Sequence, residues 1–239
     1  MLSNKELYEL YVSMVLRTLA FSMIGVFVPL FLFKELSYSL QEIIYYYIVY
    51  SLSFLISTPI GAKLGNYIGI KHVILFSTPL FIFYFAFLYL LETNPIFFYI
   101  IPIIYGIADG IFWISFHIDF SMFSEEKTRG KQIGKYYSFA LLAGLIGPMI
   151  GGVILTVASF NLLFSIVSLL LIGSAVPLFF TNDVKRKYRF SWSFLRAGGI
   201  RDLCSFIGVG SLLIVEGVFW PIFIFSILGL YAAMGSLYS

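Results

Sequence analysis

Charge is scarce in this sequence: 11% of its 239 residues are Asp, Glu, Lys or Arg, against about 25% in an ordinary soluble domain. So few charges cannot cover a soluble globule of this size, and that class is excluded. Cysteine is nearly absent. Cys204 stands alone, which excludes an intrachain disulfide and any cysteine-based metal cluster. There is no His-Glu-x-x-His zinc site, glycine-rich phosphate loop or dinucleotide fingerprint. Gly61, Gly65 and Gly69 are regularly spaced but lack the strand–turn–helix context of a phosphate loop. No metal, cofactor or catalytic residue is therefore expected, and the chain does not read as an enzyme. What is abundant is apolar and aromatic: 60% of residues are hydrophobic, with 27 Phe and 17 Tyr, far too many for a disordered chain. The composition points to an all-α, polytopic membrane helical bundle.

A bilayer core about 30 Å thick needs about 20 residues of helix. Seven stretches qualify, roughly 12–33, 41–60, 73–91, 96–120, 134–157, 160–180 and 205–230. The joins are short and polar: Lys34, Glu35 and Ser37; Lys63 through His72; Glu92 to Pro95; Ser124 to Gln132; a bare turn near Ser159 and Asn161; and Thr181 to Arg201. Period-2 alternation is absent, and in lipid only helices and closed barrels satisfy their backbone. The first stretch lacks a small-residue cleavage site and is read as a retained span.

With the amino terminus in the cytoplasm, the inner joins collect Lys5, Lys63, Lys71, Lys127, Arg129, Lys131, Lys135, Lys185, Arg186, Lys187, Arg189, Arg196 and Arg201, which is 13 of the 15 basic residues. The positive-inside rule therefore predicts a multi-pass cell-membrane protein with a cytoplasmic amino terminus and Ser239 on the outer side. The same rule accounts for the basic residues, so nucleic acid is not expected as a partner. Short joins make neighbouring helices antiparallel. The predicted organisation is a six-helix bundle over 1–180, a basic cytoplasmic connector over 181–204, and a seventh helix opening a second bundle over 205–239. From Phe190 to Leu203 the connector mixes Trp192, Phe194, Leu195 and Ile200 with Arg196 and Arg201. An interfacial amphipathic segment and a solvated linker weakened by Gly198 and Gly199 both stand open.

Six helices, a basic connector and a seventh helix resemble the major facilitator superfamily up to the start of its second half. After the second stretch, Leu64, Gly65, Asn66, Gly69 and Lys71 fall where the family carries Gly-x-Leu-small-Asp-Arg-x-Gly-basic-basic. Ala62 takes the first Gly position, Asn66 the Asp, Tyr67 the Arg and Ile70 the first terminal basic residue. In the fifth stretch, Gly147, Pro148, Gly151 and Gly152 match the family's Gly-x-x-x-Gly-Pro-x-x-Gly-Gly, with Ala143 in its first position and Gly144 just outside the pattern. Arg129 and Gly130 lie in the inner loop before the fifth helix, as in many members. Pro102 stands where drug-exporting branches carry a membrane-embedded Arg tied to proton coupling.

The resemblance implies secondary transport of a small solute by alternating access, with the lipid bilayer as surroundings and protons as a possible coupling ion. Twelve helices are usual in the family. The remaining helices are expected from a longer gene product or from a partner chain that completes a split transporter. A non-transporting scaffold or sensor is the rival reading.

Within the membrane the polar residues are few. An acid at a helix centre costs about 2.5–3.5 kcal/mol on insertion scales. Asp109 sits near the middle of the fourth stretch, with Trp113 and His117 following at one-turn intervals on roughly one face. Glu216 lies mid-way along the seventh, before Trp220 and Pro221. If the halves face one another as in the family, Asp109 and Glu216 both border the central cavity and either carries a proton or pairs with a cationic cargo. An acid satisfied by a neighbouring hydroxyl or water is the plain alternative.

Arg17 lies about 7–8 Å below the centre of its helix, within reach of the headgroups by snorkelling; pairing with Asp109 is the other option. Asp119 points about 200° away from His117. With Lys71 and Asn66 it forms the candidate for the cytoplasmic latch the family builds there. Gly147 and Gly151, with Gly144, and Gly106 with Gly110, offer small faces for close helix contact. Pro148 is a candidate kink, as are Pro29, Pro177 and Pro221. Of Tyr45, Tyr46 and Tyr47, at most two can face a cargo. Phe81, Phe83, Phe85 and Phe87 read as lipid-facing or packed bulk.

Overall fold

The computed structural model describes residues 2–123, 129–180 and 199–239. Seven helices in it are long and apolar enough to cross a membrane, at Tyr8–Glu35, Leu40–Ile68, Ile70–Leu91, Phe97–Met122, Gly130–Val157, Phe160–Phe179 and Ile207–Leu228. These are numbered spans 1 to 7. The polytopic helical architecture expected from composition is present. Residues 181–198 of the expected connector, with Trp192, Phe194, Leu195 and Arg196, lie outside the described residues, and its last part, from Gly199, is already helical.

Local chemistry explains the boundaries. Span 1 is helical to Gly25, restarts as Phe27–Leu30 and ends in a π turn over Phe31–Glu35, because Pro29 brings no N–H to the ladder. Ser39 opens span 2 with a capping box: its hydroxyl accepts from the Glu42 N–H, and the Glu42 carboxylate accepts from the Ser39 N–H at 2.8 Å. Ser159 opens span 6 in the same manner, accepting from the Leu162 N–H. In span 7 the Val215–Phe219 turn is π-helical, just before Pro221; the missing proline N–H leaves a carbonyl that the wider turn accommodates. Pro148 sits inside a helix unbroken from Arg129 to Val157. Pro177 lies in the 3₁₀ turn Val176–Phe179.

The expected join from Lys63 to His72 is corrected. Span 2 stays helical to Ile68, and span 3 begins at Ile70. Gly69 alone separates them, at φ 97°, a conformation an L side chain rarely adopts. Lys71, expected on a solvated loop, is instead buried to 2% exposure.

Spans 2 and 4 form the most extensive pair; span 3 packs on spans 4 and 6, and span 1 on spans 5 and 6. Small residues set the approach. A Cβ on Gly106 would strike the Tyr50 carbonyl, and one on Gly110 the Ser57 hydroxyl and the Phe54 carbonyl. Gly147 and Gly151 play the same part against Ser22 and Met23 of span 1. Gly144, grouped with them on the sequence, has nothing within 4 Å of the place its Cβ would take. Ala143 is buried, and its carbonyl accepts from the Ser22 hydroxyl at 3.2 Å.

Gly152 faces Gly235 of a last helix, Tyr231–Leu237, which follows Gly229 at φ 67°. The core is aromatic and aliphatic, with Phe27, Phe31, Phe81, Phe85, Leu163 and Leu171 essentially inaccessible. Leu55, Ile56, Leu141 and Leu142 point outward, each more than half exposed, as lipid-facing positions must. Hydroxyls donate to carbonyls one turn back, for example Ser168 to Phe164 and Thr156 to Gly152, both at 2.8 Å. That keeps each satisfied where water is scarce.

Candidate functional site: a tyrosine-walled cavity beside Asp109

A cavity of about 620 Å³ lies among spans 1, 2, 3, 4, 5 and 7. Span 1 reaches it through Phe21 to Val28, where the helix breaks; span 5 through Pro148; span 7 through the small residues Gly210 and Gly217. Tyr47 and Tyr50 come from span 2, Tyr84 from span 3 and Tyr105 from span 4. Three of these rings form one stack, with Tyr105 between Tyr50 at 4.5 Å and Tyr84 at 4.4 Å.

Of the consecutive tyrosines, Tyr47 lines the cavity, Tyr46 is fully buried and Tyr45 is half exposed. Successive residues point about 100° apart on a helix, which separates the three fates. Of the run read as lipid-facing or packed bulk, Phe83 faces outward at 54% exposure, whereas Phe81 and Phe85 are buried, Phe81 against Arg17 and Phe85 at the cavity.

Asp109 sits one hydrogen bond behind this wall. The Tyr50 hydroxyl donates to its Oδ2 at 2.7 Å, and Trp113 supplies a further polar contact to the same carboxylate. His117 stacks on Trp113 with ring centres 5.6 Å apart and is itself exposed. Asp109, Trp113 and His117 lie in sequence along span 4, and the Tyr50 hydrogen bond links Asp109 to the cavity wall. Glu216 is exposed in the π turn of span 7, beside cavity-lining Gly217, and interacts electrostatically with Tyr238.

Arg17 corrects the snorkelling expectation. Its side chain is buried to 4% exposure inside the bundle. The guanidinium lies 3.5 Å from the Phe112 ring centre, 4.4 Å from Phe81 and 5.4 Å from Phe21. Its Nη2 has no hydrogen-bond partner among the described residues, and its charge is attracted to Asp109. A buried cation is costly unless compensated. Here ring faces and a carboxylate in Coulombic range share the compensation. Of the two options the sequence leaves for Arg17, headgroup contact and pairing with Asp109, the structure favours the second, since helical position gives depth but not direction.

At the amino-terminal end of the bundle, Lys71 Nζ lies 3.7 Å from Glu9 Oε2, and both side chains are buried. Asp119 is buried to 1% at the same end, and Asn66 is partly buried. Glu9 was not singled out on the sequence, since it precedes the apolar run assigned to the first helix. At the opposite end, Lys34 Nζ rests 4.6 Å from the Phe225 ring and 4.7 Å from Tyr231. The Tyr231 hydroxyl donates to Glu35. No group of three or more His, Cys, Asp or Glu that could hold a metal occurs among the described residues.

Comparison with known families matches residues 10–239 to the Major Facilitator Superfamily, a family of transport proteins rather than enzymes. No curated protein matches the chain. Among solved structures, the in meso crystal structure of the POT family transporter PepTSo superposes with a TM-score of 0.57 at 14% identity, covering 98% of this chain and 53% of that one. The chain therefore spans about half the length of that transporter, and the likeness is one of fold.

Proposed function

Because the chain belongs to the major facilitator superfamily, we propose that it moves a small solute across the membrane by alternating access, as part of a secondary transporter. The carrying observation is the cavity itself: its wall joins spans 1 to 5 with span 7, on either side of the basic connector. A solute held there contacts both bundles, which is what a midplane site between rocking units requires. Further helices, in cis or from a partner chain, complete the wall. The bundles run over 1–180 and from 205 onward, and the amino terminus is cytoplasmic. Lys71, Asp119, Asn66 and Glu9 close the cytoplasmic end when the opposite end is open.

Asp109 is the coupling group in this reading. It faces Tyr50 from span 2 and lies within electrostatic range of Tyr84 from span 3, Tyr105 and Trp113 from its own helix, and Arg17 from span 1. When a proton neutralises the carboxylate, Arg17 loses its counter-charge and Tyr50 loses an ionic acceptor. Both changes reach the cavity wall. Glu216 is the second acid on the span 7 side.

Sided labelling tests this without knowledge of the cargo. In a Cys204→Ser background, Ser51→Cys on the cavity wall is predicted to react with an impermeant thiol reagent from each side in turn. Acidification is predicted to change the ratio of the two rates, and Asp109→Asn to abolish that pH response. Labelling from neither side favours a scaffold or sensor. An unchanged ratio with pH removes the proton from the mechanism.

A further inference from the structure

We infer that the cavity takes an uncharged solute with a flat, largely apolar body and one or two hydrogen-bonding groups. This inference rests on the transport reading and specifies its cargo. Among the described residues, no side chain lining the cavity carries a formal charge. The charges around it stay off the wall: Asp109 lies behind the Tyr50 hydroxyl, Arg17 inside its cage of phenylalanine rings, and Glu216 is next in sequence to the lining residue Gly217 without lining the space itself. Asp109 and Arg17 are of opposite sign and attract one another. A charged solute would shed its water here without a counter-charge, which an apolar site penalises heavily.

Ring faces dominate what remains. Phe54 and Phe85 join the tyrosines around the space, and offset or edge-on contact with such rings favours a planar body. At about 620 Å³ the space is of the size that accepts drug-like molecules.

The hydroxyls fix the polar demand. Ser22 is committed to the Leu19 and Ala143 carbonyls, Ser51 to the Tyr47 carbonyl, and Tyr50 to Asp109. The Tyr46 hydroxyl behind Tyr84 has no hydrogen-bond partner among the described residues, so Tyr84 is not committed to it. Tyr47 and Tyr105 make no hydrogen bond among the described residues either. Phenols that line the cavity in this state can serve acceptors on a solute, and they cannot neutralise an ion.

Three probes share one ring system and differ in charge: indole, tryptamine and indole-3-acetate. Equilibrium dialysis against the 239-residue chain in nanodiscs, at pH 7, measures saturable binding of each. Gly217→Trp and Gly210→Leu serve as plugged controls that subtract partition into lipid, because a Cβ at either position meets nothing within 4 Å and the added side chain has room. Indole is expected to bind at least tenfold more tightly than either charged probe, to be lost in both plugged variants, and to weaken about three- to tenfold with Tyr105→Phe, as for one net hydrogen bond.

Tighter saturable binding of tryptamine or indole-3-acetate overturns the inference, and so does the absence of a saturable indole site. The Ser51→Cys labelling is read independently. Alternating access without indole binding removes only the cargo class, whereas indole binding with labelling from neither side removes the transport reading.

Discussion

Arg17 shows how much a single side chain can depend on its surroundings. Its guanidinium is stabilised by three ring faces and by the field of Asp109, so removing either charge takes from the other the opposite charge that offsets part of its desolvation. Arg17→Met and Asp109→Asn are each predicted to lower thermal stability in detergent. The double variant is predicted to lose less than the sum, with a coupling of about 0.5–3 kcal/mol; a coupling of zero would show that the two charges act separately.

Tyr50→Phe removes one charge-assisted hydrogen bond at 2.7 Å and is predicted to cost about 1.5–3 kcal/mol in the same measurement. Glu9 and Lys71 form a second buried pair. Because both are shielded from solvent, the stability lost in Lys71→Met is predicted to change little between low salt and about 1 M salt. The acid of span 4 was legible in the sequence, since any carboxylate at that depth is expensive. Its partner Tyr50 was not: one tyrosine among 17 carries no mark of which helix faces it.

Between elements, the small residues separate into two kinds. At Gly147 a new methyl would collide with Ser22, and at Gly106 with the Tyr50 carbonyl, while at Gly144 it would meet open space. Gly147→Ala and Gly106→Ala are therefore predicted to destabilise by about 1–3 kcal/mol through overpacking. Gly144→Ala is predicted to stabilise by up to about 1 kcal/mol, since alanine is the better helix former. Thermal unfolding of the three variants side by side checks the contrast.

The sequence motif placed Gly147 and Gly151 on one helix but left open which neighbour each would meet. Spacing alone also grouped Gly144 with Gly147 and Gly151, and seven residues make nearly two full turns, so it does share the face of Gly151; what spacing does not reveal is that nothing stands opposite Gly144 at its height. Helix ends were legible where a cap was written into the chain, as at Ser39 and Glu42. They were misjudged at Lys63, because a lysine at the end of a span can extend its ammonium away from the apolar body and the helix continues past it.

For the whole molecule, span number followed directly from apolar length, and the family pattern in span 5 from its small residues and proline. The cavity did not follow, because it is made where six helices converge and each contributes only one or a few side chains to it. Orientation is open to a direct measurement. In the Cys204→Ser background, Lys63→Cys and Thr93→Cys, both at exposed positions, are predicted to react with an impermeant reagent from opposite faces, Lys63→Cys from the cytoplasm. Reaction of both from one face would contradict the antiparallel layout.

The one-residue junction at Gly69 makes the hairpin of spans 2 and 3 a matter of phase. Each residue advances a helix by about 100°. Lengthening this corner by a single amino acid would rotate everything after it by more than a quarter turn. Lys71 would swing off Glu9, and Tyr84 would leave the ring stack some 20 Å further along. At this corner the register of the chain is as strict as that of a screw thread.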